Sequence, residues 1–403
     1  MKISDFAREN GLSPRTLRYY DEIGLLRPDR VDALTGYREY GEAAAERLRA
    51  IRFYQTVGFS LEEVQGLLNL SDDARLEALD QQRERLVRQR ERLDRLIGLL
   101  TPQEPSQPRK ASLTSLLSAF ARAWHADAAE PIVRDEFARQ LMTEEEYAQI
   151  SRYLLEGKAF LMPDLPEMPD AQAVEQLVNT QFAPATLART RFSEDCLHTA
   201  VRTGTTQAVI LGAGMDTLAL REPNQPVFEA DHPVTQADKL MRIHRAGLTS
   251  RAAFVPVDFT VDDLPARLLE AGFDPARKSL FTWLGVSYYL PLGVVDDMLA
   301  DLASLSSQGT ALIMDYADEG FFTSVERRVR NMIAMAQAAG EPLQTALSEA
   351  QLTALLERHG FQVYELLTWD DLQARYFAGR TDGLRAFEHI GCLLAVYVGQ
   401  HPV

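Results

Sequence analysis

The sequence predicts a two-part α/β chain. A small, largely helical unit with a long helix behind it comes first, and a seven-stranded, doubly wound sheet under a helical cap follows. Three observations predict this. From Ala208 onward, short apolar runs alternate with stretches of helical spacing, the pattern of strands joined by crossover helices. Over the first 70 residues the apolar positions fall mainly at helical spacing, in short segments punctuated by Gly11 and Gly24. Between these regions a leucine repeat runs from Leu76 to Leu100 and gives way to a proline-bearing stretch. At 403 residues, 46% hydrophobic and 25% charged, the chain has the length for two or three cores and the composition of a packed protein.

Ile3, Phe6 and Ala7 are spaced for a short helix ending at Gly11. Ser13-Pro14 is a helix start, an N-cap hydroxyl followed by proline at the first helical position. The next helix, Arg15 to Ile23, puts Leu17 and Tyr20 on one face and Arg15, Thr16 and Arg18 on others. Two short helices joined by a glycine-bearing turn, with arginines early in the second, fit a helix-turn-helix that enters a major groove. Gly24 to Pro28 stops that helix, and Thr35 to Tyr40 forms a tight turn and a short strand, a wing. Spacing alone leaves open a plain helical domain with wetted arginines. The segments TLRYYDEIGLLRP, GYREY and GFSLEEV, in that order, resemble the MerR family of winged helix-turn-helix regulators over roughly residues 1–70. The resemblance implies that Arg15, Thr16, Arg18 and Tyr19 face double-stranded DNA from the recognition helix, and Tyr37 and Arg38 from the wing. It also implies a homodimer on a palindromic operator. The metal- and redox-sensing members use cysteines, and this chain has only Cys196 and Cys392, far from that region.

Leu76, Leu79, Leu86, Leu93, Ile97 and Leu100, with Arg83 and Arg90 in the gaps, advance by alternating three- and four-residue steps. This is a heptad seam, and a helix from about Asp73 to Leu100 is ~40 Å long. Charged residues cover the opposite face, so residues 71–100 are expected to form a coiled coil with a second chain; packing on the helix's own domain is the alternative. Arginine at two a positions weakens a parallel seam and favours an antiparallel pair with Glu84 or Glu91 nearby. Thr101 to Ser112, with three prolines, is the expected linker and domain boundary. Residues 1–110 hold 19 Lys+Arg and 19 Asp+Glu; the remaining 23 basic and 39 acidic side chains carry the whole net charge of −16. An acidic body repels a polyanion, so nucleic-acid contact is confined to the N-terminal part. No secretory signal opens the sequence and no run reaches membrane-spanning length, so a cytoplasmic protein with no membrane contact is expected.

Residues 113–187 are mainly helical in spacing, interrupted by a proline loop at Met162 to Pro169, and are expected to cap the sheet that follows. Ala208 to Leu211 is a continuous apolar run, the mark of a buried parallel strand. Gly212-Ala213-Gly214 breaks it, helical spacing returns through Met215, Leu218 and Leu220, and Val227-Phe228 leads to Glu229-Ala230-Asp231. Strand, glycine turn, short helix, and strand ending in an acid make the nucleotide-binding half of a Rossmann-like sheet. Thr217 replaces the third glycine of the dinucleotide fingerprint, which suits a ligand without a pyrophosphate, such as S-adenosylmethionine (SAM). The glycines taken alone also fit a tight structural turn. Further strands are expected at Ala253–Asp258, Ser279–Val286, Thr310–Tyr316, Gln362–Leu367 and Leu393–Gly399, with helices at Val234–Ala246, Asp262–Ala271 and Leu292–Leu305. Ligands bind such sheets at the carboxyl edge, where Gly212, Gly214, Glu229, Asp231, Asp258 and Trp283–Tyr289 collect.

The segments ARTRF, ILGAGMDT, FEADHP, VPVDF, WLGVSYYL and IMDY, in order over about residues 113–400, resemble the leucine carboxyl methyltransferase family, including its branch acting on polyketide carboxylates. The resemblance implies a SAM-dependent O-methyltransferase acting on a small-molecule carboxylate or hydroxyl. Arg189 would grip the methionine carboxylate, with the Gly212, Ala213 and Gly214 backbone along the methionine part. Asp231, with Glu229 near it, would hold the ribose. Asp258 would accept from the adenine amino group, with Phe259 beside it. Leu284 stands where the family often has glutamate, which removes a polar group near the reacting end. A carboxylate is ionised at neutral pH and needs no base, whereas a hydroxyl needs its proton removed. His125, Tyr288 and Tyr289 are the candidates for that task; burial under the cap and core packing are their structural alternatives. Two functions fit these resemblances: a methyltransferase of natural-product carboxylates with a dimerising, DNA-binding-type arm, and a regulator that uses the methyltransferase fold to sense SAM or a metabolite.

Overall fold

The computed structural model describes residues 1–32, 37–71, 73–83, 85, 113–222 and 226–399. They fall into two compact units, Met1–Thr101 and Pro102–Val403. Among the described residues no helix is long and apolar enough to cross a membrane.

In the N-terminal unit, α1 (Ile3–Glu9) and α2 (Pro14–Glu22) are followed by α3 (Glu42–Thr56) and α4 (Leu61–Leu67). The start of α2 is set by its sequence: Ser13 Oγ accepts the Thr16 N–H at 3.0 Å and proline takes the first position. Leu17 and Tyr20, three residues apart, are buried against Phe6, Leu48 and Ile51, which leaves Arg15 and Arg18 outside. The wing is the antiparallel pair β1 (Arg30–Val31) and β2 (Arg38–Glu39), with Arg30 opposite Glu39. Residues 73–83 are helical. Their first turns pack on their own unit: Ala78 and Leu79 lie against its core, and buried Gln82 donates to the Val57 carbonyl at 2.8 Å. Leu76, the first seam leucine, is 62% exposed. The seam from Leu86 onward and the linker lie outside the described residues.

The C-terminal unit is a seven-stranded sheet in the order β5-β4-β3-β6-β7-β9-β8. The strands are β3 (Gln207–Leu211), β4 (Val227–Asp231), β5 (Ala253–Pro256), β6 (Ser279–Trp283), β7 (Ala311–Ala317), β8 (Phe361–Leu367) and β9 (Ile390–Tyr397). β3 to β7 are parallel, and β9 slots between β7 and β8 antiparallel to both. Strand alternation divides the core into two layers. Ala208 and Ile210 join Leu187 and Phe192 of the helix Ala183–Arg202 on one face. Val209 and Leu211 join Leu264, Leu299 and Leu352 from three further helices on the other. The cap helix Leu113–Ala126 packs on the first face. Helices Arg327–Ala338 and Glu349–Arg358 add to those expected from the sequence; a capping box of Ser348 and Gln351 starts the second.

Candidate functional site

The strand order brings the carboxyl ends of β5, β4, β3, β6 and β7 into one rim. At its centre the chain leaves β3 through Gly212 and Gly214, with φ of 67° and 45°. Both need glycine: a Cβ at Gly212 would strike Val286, and one at Gly214 would lie 2.9 Å from Ser115 Cβ. The loop is tied to the next strand, since Gly212 N–H donates to the Ala230 carbonyl at 2.8 Å and Gly214 N–H to Asp231 Oδ2. Asp231 Oδ1 takes the His232 N–H at 2.6 Å. Burial pushes the Asp231 carboxyl up, while these two backbone donors pull the other way. Two amides occupy about half of what a carboxylate can accept, which leaves room for a pair of neighbouring hydroxyls.

Glu229 sits two residues earlier on the same face, but it is not a free ribose ligand. Its Oε2 meets Lys239 Nζ at 2.5 Å, and both side chains are only 2% exposed. Burial pushes the Glu229 carboxyl up against the pull of Lys239. Asp258 lies past the end of β5, where its Oδ1 takes the Thr260 N–H at 3.0 Å and hydroxyl at 2.6 Å. His232 Nε2 stands 3.7 Å from its Oδ2, and Phe259 packs half-buried beside it.

Across the rim, Arg189 projects from the helix Ala183–Arg202. Its Nη1 donates to the Tyr288 hydroxyl at 2.9 Å and to Asp315 Oδ2 at 3.2 Å, and its Nη2 to Ser118 Oγ at 3.3 Å. Asp315, fully buried in β7, also takes the Gly285 N–H at 2.7 Å and the Tyr288 hydroxyl proton at 3.2 Å. Burial would lower the Arg189 pKa, yet Tyr288 and Asp315 raise it above its ordinary value. Gly285 is the floor for this guanidinium, since a Cβ there would lie 2.5 Å from Nη1. Tyr288 is buried and its hydroxyl pushed well up, so it stays protonated. Tyr289 is half-buried; its hydroxyl makes no hydrogen bond among the described residues, and burial pushes its pKa up to about 12.

The cap helix roofs the loop. Ser115 and Ser118 meet Gly214 and Arg189, and Arg122 donates from its Nη2 to the Met215 carbonyl at 2.6 Å. Arg122 Nε also meets Asp135 Oδ2 at 2.8 Å, where Thr217 Oγ1 donates at 2.7 Å. Burial raises the Asp135 carboxyl, but Arg122, Arg221 and Thr217 hold it below its ordinary value. His125, one turn further on, is corrected by the structure. Its ring is buried, Nε2 already accepts the Ile132 N–H at 2.7 Å, and burial lowers its pKa to about 4. It is a structural acceptor with no lone pair for a substrate. Asp315, Asp135 and the two serines join the rim without having been expected there from spacing. A lone carboxylate in the apolar strand Ala311–Ala317 was the signal for the first; the others depend on long-range contacts. Among the described residues no cluster of three or more His, Cys, Asp or Glu side chains could hold a metal ion.

In the N-terminal unit, Arg15, Arg18, Tyr19 and Tyr37 are exposed, while Thr16 is half-buried with its hydroxyl 2.8 Å from Ser13 Oγ. Arg38 does not stand free, because its Nε donates to Asp21 Oδ2 at 2.8 Å and so ties the wing to α2. Asp21, largest contributor, holds the Arg38 pKa above its ordinary value.

Comparison with known proteins follows this division. The sequence model of the leucine carboxyl methyltransferase family matches residues 115–303. Those of the MerR HTH family regulatory proteins and of the MerR DNA-binding region match residues 1–71 and 45–103. A putative S-adenosyl-L-methionine-dependent methyltransferase of Bacillus subtilis, YktD, is 37% identical, covering 71% of this chain and 98% of that protein. A relative of the same description from Mycolicibacterium smegmatis is 30% identical, covering 64% of this chain and 83% of its own length. The N-terminal part of MtaN, the Bacillus subtilis multidrug transporter activator, is 36% identical to this chain. It covers 25% of this chain and 93% of that structure, at a TM-score of 0.23. The chain belongs to the leucine carboxyl methyltransferase family of SAM-dependent methyltransferases and carries a MerR-type helix-turn-helix domain in front.

Proposed function

We propose that the C-terminal unit methylates a carboxylate oxygen of a small molecule, and that the N-terminal unit binds double-stranded DNA as a homodimer. SAM supplies an electrophilic methyl group; positioning and water exclusion fall to the chain. Asp231 takes the ribose hydroxyls on the acceptor positions its two amide donors leave, Asp258 with Phe259 marks the adenine end, and Arg189 faces the methionine carboxylate beside the loop Gly212–Gly214. The observation that carries the carboxylate reading is the state of the nearby groups. His125 is already an acceptor for Ile132, Tyr288 donates to Asp315, and Tyr289 keeps its proton at neutral pH. These three do not serve as a resting base, and a carboxylate needs none. Tyr289 then acts as a hydrogen-bond donor to the acceptor, and half-buried Leu284 and Val286 keep the reacting end dry. The test is methyl transfer to a panel of carboxylic acids and the matching alcohols. Methyl esters alone support the reading, and methyl ethers alone oppose it.

The DNA-facing part rests on the exposed side chains of Arg15, Arg18, Tyr19 and Tyr37 around α2 and the wing, with Thr16 at the start of the helix. Its test is a salt-dependent shift of a palindromic promoter fragment, together with sedimentation to establish the dimer. One observation favours a sensor as a second reading. The first helix after the linker lays Ser115, Ser118 and Arg122 on the cofactor rim, so cofactor occupancy bears directly on the chain segment that leads to the DNA-binding domain. SAM binding that alters DNA affinity, with no methyl ester from any acid, supports that reading over the enzyme.

A further inference from the structure

β7 leaves the sheet at Ala317, opposite Ile390, where β9 begins. Beyond that pair, Asp318 N–H donates to the His389 carbonyl at 2.9 Å, and Asp318 Oδ1 meets both His389 Nδ1 and the Gly320 N–H at 2.8 Å. His389 has φ of 65° and is the one non-glycine residue at positive φ among the described residues. That conformation is unfavourable for a residue with a side chain and persists where the surroundings over-determine it. Here they do, since a Cβ on Gly320 would lie 2.8 Å from the imidazole, so only glycine allows the ring to sit there.

The ring lies on the wall of a cavity of about 740 Å³ at the corner where β7 and β8 end and β9 begins. That volume is in the range of small-molecule sites, roughly 300–1,000 Å³. Trp369 is half-buried on its wall, and Val325 beside it is 82% exposed. Its charges largely cancel: Glu388 is locked to buried Arg328 and stands 3.6 Å from Arg385, which leaves Glu326 exposed. The cavity shares no lining residue with the cofactor rim. Phe321, Phe387 and Ile390, none more than 2% exposed, pack with Tyr288 as a layer next to it.

Where Asp318 Oδ1 accepts from Nδ1, the neutral imidazole carries its lone pair on Nε2. An occupant must bring a donor to it and an apolar face for Trp369, and a net charge gains little from a lining whose charges largely cancel. We propose that this corner is a second small-molecule site, binding an uncharged hydroxylated aromatic compound through the His389 imidazole.

The test uses the full chain, with 2-naphthol and its methyl ether as probes in calorimetric titrations. The expected result is 2-naphthol binding about five- to tenfold more tightly than the ether, the size of one neutral hydrogen bond. His389→Asn, which tolerates positive φ, should level the two. Asp318→Ala, which removes the acceptor of the Nδ1 proton and frees the tautomer, should narrow the difference and serves if the first variant does not fold. Trp369→Ala should weaken both probes, and saturating S-adenosylhomocysteine should displace neither. Equal affinities in the wild type, a preference that survives both the His389 and Asp318 changes, displacement by the nucleoside, or no binding of 2-naphthol would overturn the proposal.

Discussion

The two units treat arginine in opposite ways. On α2, Arg15 and Arg18 are exposed and make no ion pair among the described residues. Around the sheet rim, Arg122, Arg189 and Arg221 have side chains 7%, 15% and 14% exposed, and each meets a carboxylate. A solvated cation adds little to the fold and remains available to a phosphate. A buried one is held by partners whose removal strands a charge, so its geometry is set before any ligand arrives. Helix α2 thus presents charge, and the rim of the sheet preorganises it.

The largest effect is expected from Asp315→Ala. It leaves the Arg189 guanidinium, the Gly285 N–H and the Tyr288 hydroxyl without their shared acceptor. A loss of about 3–5 kcal/mol is expected in the C-terminal unit, read as a fall in its calorimetric transition. Asp21→Ala releases the partly exposed Arg38 in the other unit and should change stability by about 1 kcal/mol or less. Equal effects would erase the distinction.

A somewhat smaller effect concerns His125. Its pKa falls from 6.5 to about 4 in the fold, chiefly through burial. Between those values the unfolded chain binds the extra proton, so stability from the neutral ring is whole above pH 6.5 and is lost as pH falls toward 4. The difference is about 3 kcal/mol. His125→Asn, which can still accept from Ile132, should flatten the acid limb of a denaturation series in that window. An unchanged limb would place the titrating group elsewhere.

The smallest effect sharpens the other side. Arg18→Ala should leave the melting temperature within a degree or two, since exposed surface changes move stability by about 0.5 kcal/mol or less. It should reduce the salt slope of DNA binding by about one. A large stability loss with an unaltered slope would make Arg18 part of the fold instead.

The parts of the site legible in the sequence were local. Ser13 and Pro14 announced the start of α2, and the run Ala208–Leu211 before two glycines announced β3 and its loop. Asp231 does end its strand, as the acid after an apolar run suggests. Glu229 misled because strand alternation puts it on the same face, while Lys239, one helix later, reaches back to neutralise it. His125 misled because helical spacing does not reveal that the Ile132 amide occupies its nitrogen. The Arg189–Asp315 pair joins residues 126 positions apart, and β9 enters between β7 and β8 against the direction of its neighbours. Neither leaves a periodic trace.

The most direct test of the preorganised rim is calorimetric titration of the full chain with S-adenosylhomocysteine, beside Asp231→Ala. One site per chain is expected, with the variant weaker by about 100-fold or more, the size of two lost charge-assisted hydrogen bonds. Uptake of the nucleoside with equal affinity by both proteins would contradict it, and so would no uptake by either.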